Sequence, residues 1–358
     1  MSPLQAWLAF VALCAFGLLL PFLPALRTLR RPEARNPAPE AEKDAPARIE
    51  AFRGMVTQQF AQLLQVVRES EPIQGANESG RPFIVLGFNK HLAECIPPAT
   101  RRLRSLVLSA GHLDIPGELV CDREIFAEGR INVAHNAVVK SVLSHRDIAI
   151  GIRARVTRWV RSDRRLDVAE GGSVKGFASA GIEIALARRT RFEQLEAPRI
   201  SFGRQPDSPA RPALEDPVAR FDPPSRRGEQ LGNGRNLVIP PGHTVRGDLI
   251  VAGLLEIGDG CRIFGQLRAD KGIVLGQDVQ IEGAVYADGP ISTGANCLVS
   301  GPLISASSLR LGPCSRVGKP DEPSTLAADE LLVSEGCVAY GTVRAGRRGE
   351  VIDARIST

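Results

Sequence analysis

From Leu237 onward the apolar residues come in short alternating bursts, and the bursts repeat. Lines begun at Leu237, Leu255, Ile273, Ile291 and Leu309 are each 18 residues apart. In that register the third column reads Ile239, Ile257, Leu275, Thr293 and Leu311, and the fourth Pro240, Gly258, Gly276, Gly294 and Gly312. The ninth reads Val245, Ile263, Ile281, Val299 and Val317, the eleventh Gly247, Gly265, Gly283 and Gly301. Leu249, Leu267, Val285 and Leu303 fill the thirteenth. A sixth line restarts at Leu331 after an insertion near 319–325 and supplies Val333, Ala339, Gly341 and Val343.

Alternation with a period of two predicts strands with one buried face. Glycine at fixed columns predicts corners, where a side chain would clash or need a disfavoured φ. Three bursts per 18 residues describe a triangular coil. One coil cannot bury its own apolar layer, but a stack of five or six can. A looser copy of the pattern runs earlier, in lines from Leu113, Ile131, Ile148, Leu166, Ile184 and Ile200, with steps of 18, 17, 18, 18 and 16. Ile115, Val133, Ile150, Val168 and Leu186 share one of its columns; Val139, Val156, Val174 and Phe192 share another. The expected fold is all-β, a three-sided β-helix of about 18 residues per coil in two blocks. A transmembrane helix and a short helical segment are expected before it.

The rest of the chain divides around the blocks. Residues 4–26 hold no charge and include WLAFVALCAFGLLLPFL, long enough to cross a hydrocarbon core of about 30 Å. No Lys or Arg precedes that run, as a cleaved signal would want, whereas Arg27, Arg30 and Arg31 follow it. Residues 1–30 are therefore expected to be a single-pass anchor in the cell inner membrane, with the rest cytoplasmic by the positive-inside rule. A Pro- and charge-rich linker is expected over 31–47, and a membrane-proximal segment over 48–102. Within that segment Ile49, Phe52, Val56, Phe60, Leu63 and Val67 mark one face of a helix, and RPFIVLG over 81–87 a short strand. That helix face could pack on its own domain, lie on a bilayer surface or pair with another copy, and docking on its own domain is the plainest of the three. The first β-helical block is expected over 103–203, a Pro-rich linker over 204–236 and the second block over 237–358.

The pattern over 255–294, LEIGDGCRIFGQLRADKGIVLGQDVQIEGAVYADGPISTG, resembles the bactofilins, a bacterial family of polymer-forming cytoskeletal proteins. The resemblance covers 237–345 well and 113–203 more loosely. It implies a right-handed β-helix whose ends stack on other copies without nucleotide, and a role in localising envelope or cell-shape machinery. On that footing the chain is expected to be a membrane-anchored scaffold and not an enzyme. Its expected partners are itself, the inner membrane and envelope or cell-wall proteins. The terminal rungs, with Leu237, Ile239, Val333 and Val343, are the expected self-association sites. Two blocks and an anchor depart from the usual single domain with short tails, so one block is free to cap the other. A non-polymerising adaptor of an envelope complex is the alternative.

Composition narrows the chemistry. Aromatics are 5%, while Gly (35) and Pro (26) are plentiful, as turn-rich β folds require. Seven scattered cysteines contain no CxxC pair and no zinc-type His spacing, so they read as buried thiols, and neither metal nor cofactor is expected. A hexapeptide-repeat acyltransferase is the enzymatic rival, because Ile257, Ile263 and Ala269 are six apart. It would need a His base, from among His135, His145 and His243, and a solvent-facing corner His is the plainer reading of each. The net charge is +5. Arg153, Arg155, Arg158, Arg161, Arg164 and Arg165 crowd into one coil, a candidate face for anionic lipid. Nucleic acid is not expected, because exposed aromatic interleaving is missing apart from Trp159.

Overall fold

The fold is a computed structural model that describes residues 45–67, 71–77, 80–88, 91–96, 99–203, 219–221 and 236–353. All belong to one compact unit, Asp44–Thr358. It is a β-solenoid of about twelve turns. The expected anchor over 1–30 lies outside the described residues, and among those described no helix is long and apolar enough to cross a membrane.

The columns become ladders. In block 2, Leu237, Leu255, Ile273, Ile291 and Leu309 are parallel neighbours on side A. Val245, Ile263, Ile281, Val299 and Val317 stack on side B. Leu249, Leu267, Val285, Leu303 and Leu326 stack on side C. Block 1 has the same three sides. Side A runs Leu113, Ile131, Ile148, Leu166, Ile184 and Ile200. The long strands Val120–Ala127, Val138–Ser144, Arg155–Ser162 and Ser173–Ala180 each bend from side B to side C. Each inward Val, Leu or Ile removed from water contributes about 1.5–3 kcal/mol, and together they make one core from Ile84 to Val351.

Two kinds of corner close each coil. The glycines between sides B and C permit close approach: a Cβ on Gly265 or Gly283 would lie 2.2 Å from the carbonyl oxygen of the glycine one coil earlier. The A–B corner needs a left-handed residue instead. There Gly242, Gly260, Asp278, Asn296, Cys314 and Gly336 have φ between 57° and 85°. Buried serines staple the remaining corner, as when Ser162 Oγ donates to the Arg146 carbonyl (2.6 Å) and accepts from the Arg164 N–H (3.0 Å).

The two blocks join tail to tail. Strand Arg191–Phe202, the last coil of block 1, pairs antiparallel with Cys337–Ile352, the last coil of block 2. Leu195 opposes Val343, Ile200 opposes Ala339 and Phe202 opposes Cys337, so all three sides meet and the core runs through the joint. The chain direction therefore reverses midway along one continuous solenoid. Helical rungs repeat about every 4.8 Å, so the six coil steps from Leu237 to Gly349 put block 2's first coil about 29 Å from the joint.

The amphipathic helix docks on its own block. It comprises α1, Ala45–Met55, a π turn, Val56–Phe60, and α2, Ala61–Val67. It begins three residues before the expected boundary at 48. Its buried stripe is Ala45, Ile49, Phe52, Val56, Phe60, Leu64 and Val67, with Leu64 where the sequence pattern had suggested Leu63. Three successive steps of four from Phe52 to Leu64 would each rotate an α-helical stripe by about 40°. The wider π turn returns that stripe to the sheet, and it shifts the contact by one residue. Beneath it lie outward residues of side C: Val85, Leu108, Phe126, Leu143, Trp159 and Phe177. The Phe52 and Trp159 rings are 5.6 Å apart, and Arg53 donates to Asp163 at 2.6 Å.

Two further expected boundaries move. The solenoid starts before 103, because Pro82–Leu86 already pairs in parallel with Leu106–Ser109. An intervening 3-10 turn, Leu92–Glu94, breaks the repeat there and hid this from the pattern. Within the expected 204–236 linker, Ala219–Phe221 is a strand paired with side B of block 2's first coil. Three residues are too few to leave a period.

Candidate interaction surfaces

Only half of the expected self-association residues stand near an end. Leu237 and Ile239 lie on side A of block 2's first coil. Val333 and Val343 are fully buried. Val333 sits between Leu311 and Val351, while Val343 sits between Leu326 and, across the joint, Leu195. The expectation of a free end at Val343 is thus corrected, because block 1 occupies it. Block 1's opposite end is capped in part, by the hairpin of Ile73–Ala76 with Pro82–Leu86 and by the buried Leu92 and Ile96, while Ile73–Ala76, Arg102–Leu103 and Leu113–Ile115 pair along one edge only among the described residues. At block 2's first coil Ala219–Phe221 covers side B. Leu237–Ile239 and Leu249–Val251 each pair along one edge only among the described residues.

The six arginines do not form one face. Arg155 lies on side B and Arg158 at the B–C corner, while Arg161 lies on side C beside the docked helix. Arg165 starts side A, Arg164 precedes it, and Arg153 holds the left-handed A–B corner at φ 55°. A coil that turns through three sides spreads neighbours in sequence around its circumference. The cations that do share a side come from different coils. Side B and its corner toward C hold Arg104, Arg123, Arg155, Arg158, Lys175 and Arg191, besides the ion-paired Arg102 and Lys140. The sequence grouping missed Arg104, Arg123, Lys140 and Lys175; the 17- and 18-residue register would have lined them up.

The histidines occupy separate corners. The His135 ring lies over Gly117, where an added Cβ would come within 2.9 Å of it. His145 packs edge-on to Phe126, with centroids 5.1 Å apart. His243 Nδ1 is 2.9 Å from the carbonyl oxygens of both Pro240 and Pro241. Two clefts on the flat sides contain none of these rings. One, of about 570 Å³, runs along side A of block 1 over Ala149, Asp167 and Ala185. The other, of about 510 Å³, lies on side C of block 2 over Ile250, Arg268, Tyr286 and Ile304. Among the described residues no cluster of three or more His, Cys, Asp or Glu is placed to hold a metal ion.

Three of the thiols are built into the corners. Cys261, Cys297 and Cys337 donate from Sγ to the carbonyls of Pro240, Gly276 and Gly312, at 3.1, 3.1 and 3.0 Å. Burial pushes the Cys297 thiol up to about 11 and those of Cys121 and Cys337 up to about 12, from an ordinary 9.0. A thiol whose pKa is raised by folding stabilises the fold below its unfolded value, and this contribution is lost as pH rises toward the folded one. Stability should therefore decline between about pH 9 and pH 12. In native protein at pH 8, iodoacetamide should modify the half-buried Cys95 and Cys314 before the other described thiols. Mass spectrometry should find Cys121, Cys297 and Cys337 modified only in denaturant; early labelling of Cys337 would contradict this account of the corner.

Comparison of the chain with known protein families, with curated proteins and with solved structures finds no match in any of the three.

Proposed function

We propose that this protein is a structural scaffold held at the cell inner membrane, of the bactofilin kind, acting as an adaptor rod and not as a catalyst. The apolar stretch 4–26 would anchor it, and Arg27, Arg30 and Arg31 would keep the solenoid on the cytoplasmic side. Its work is to present flat sides to envelope or cell-shape machinery. The observation that carries this reading is the tail-to-tail joint. Filament growth from coil ends needs two open ends per molecule, and the joint uses one end of each block internally. Block 1's other end is partly capped by a hairpin, which leaves block 2's first coil as the more open one, and association through one end supports a pair of copies and no more. This favours the adaptor over the polymer.

The full chain, kept in mild detergent, should sediment as a monomer or a dimer, with no filaments by electron microscopy. Leu237→Glu, at the open coil, should return any dimer to monomer. Filaments of the unaltered chain would reject the adaptor, since growth would then find two usable ends per molecule.

A further inference from the structure

Side B of block 1 carries a surplus of positive charge that the described residues do not neutralise. Its three carboxylates are each engaged. Asp122 accepts from Arg102 at 2.6 Å, Glu124 pairs with Lys140 at 3.1 Å, and Glu193 accepts the Gly176 N–H at 2.7 Å. Arg104, Arg123, Arg155, Arg158, Lys175 and Arg191 have no carboxylate partner among the described residues. Asp122 registers the field: the Arg102 hydrogen bond first, then the charges of Arg102, Arg104 and Lys140, hold it below the usual carboxylate range. Successive strands about 4.8 Å apart spread these cations over about 24 Å of flat sheet. None of the exposed large apolar residues stands on this side, so charge alone must hold a ligand here.

An anionic surface is what such a plane fits, and two further observations favour lipid. Residues 99–203 contain eighteen Lys and Arg against twelve Asp and Glu, whereas residues 236–353 contain ten against fourteen. A rod with one basic and one acidic block meets an anionic bilayer with the basic block. The helix also enters beside this side, because Phe52 touches Trp159, the neighbour of Arg158. The apolar stretch 4–26 thus lies some twenty residues upstream of a point next to the basic plane. A single-stranded nucleic acid would want exposed rings for stacking, and Trp159 is covered by the helix.

We propose that side B of block 1 lies flat against a bilayer bearing anionic lipid headgroups, with Arg104, Arg123, Arg155, Arg158, Lys175 and Arg191 as the contacting cations. The proposal rests on the membrane attachment proposed above and names the surface that attachment brings to the lipid. The side chains themselves provide the probe, since Lys175 and Lys140 lie on this side while Lys271 and Lys319 lie in block 2.

The full chain is mixed with vesicles of phosphatidylcholine, alone or with about 30 mol% phosphatidylserine, acetylated with an amine reagent and read by mass spectrometry. With phosphatidylserine, labelling of Lys175 should fall at least five-fold and that of Lys140 should fall too, while Lys271 and Lys319 stay unchanged. Neutral vesicles or 0.5 M NaCl should restore it, since the screening length shrinks from about 8 Å at physiological salt toward a few ångströms. The combined variant R104E, R155E, R158E and R191E should lose the protection while keeping its circular-dichroism spectrum. Equal labelling of Lys175 on both vesicle types, or protection that persists in high salt, would overturn the proposal. So would stronger protection by a duplex oligonucleotide than by the vesicles. Flotation of the chain with neutral vesicles reports on the anchor separately, so failure of the attachment and failure of the basic plane give different results.

Discussion

Leu195→Asp should cut the molecule in two energetically. Leu195 is fully buried in the last coil of block 1 and faces Val343 across the antiparallel joint. Removing a buried leucine costs about 2–5 kcal/mol, and placing a carboxylate there adds a desolvation cost without any partner on either side. We expect a loss of at least about 4 kcal/mol, large enough that the blocks cease to unfold together. Urea denaturation of the wild type should show one transition, and that of the variant two. Val343→Asp should reproduce the effect from the other side. A single transition with an unchanged midpoint in either variant would mean that the blocks do not depend on the joint.

Gly283→Val should have an effect of similar size for an unrelated reason. Its backbone is not left-handed; the obstacle is that a Cβ would sit 2.2 Å from the Gly265 carbonyl oxygen one coil away. Backbone cannot yield there without breaking the parallel ladders on both neighbouring sides. Overpacking of this kind costs about 1–3 kcal/mol in ordinary cores, and a contact with backbone belongs at the upper end. Gly260→Asn is the matching control. Gly260 is left-handed with open space around it, and Asp278 and Asn296 already hold the same corner in the next two coils. Thermal unfolding should place Gly260→Asn within about 1 kcal/mol of the wild type and Gly283→Val about 3 kcal/mol below it. Equal losses would show that φ, and not the close approach of coils, sets the glycine column.

The coil was legible in the sequence because each interior column touches its own copies 17 or 18 residues away. Ile239, Ile257 and Leu275 had to match in size and polarity to stack, and a local period records that requirement. The joint left no such record. Leu195 and Val343 are about 150 residues apart and meet only once, so nothing repeats. Side C of block 1 did leave a trace: IVL at 84–86, LVL at 106–108, IF at 125–126 and WV at 159–160 are apolar on both faces, as a strand covered on both sides must be. That trace decides between the three placements the helix stripe had left open. The arginines misled because adjacency in sequence is not adjacency on a solenoid. Arg153 and Arg165 lie on different parts of the coil, whereas Arg155 and Arg191, two coils apart, share a side.

The tail-to-tail joint also imposes a waiting time. Phe192, Leu195, Ile200 and Phe202 finish block 1, yet the strand that covers them begins at Cys337. At roughly 5–20 residues per second of synthesis, the intervening stretch takes about 7–27 s to emerge. Throughout that interval a completed coil with its apolar end uncovered stands beside the ribosome, and the next chain on the same message carries an identical one.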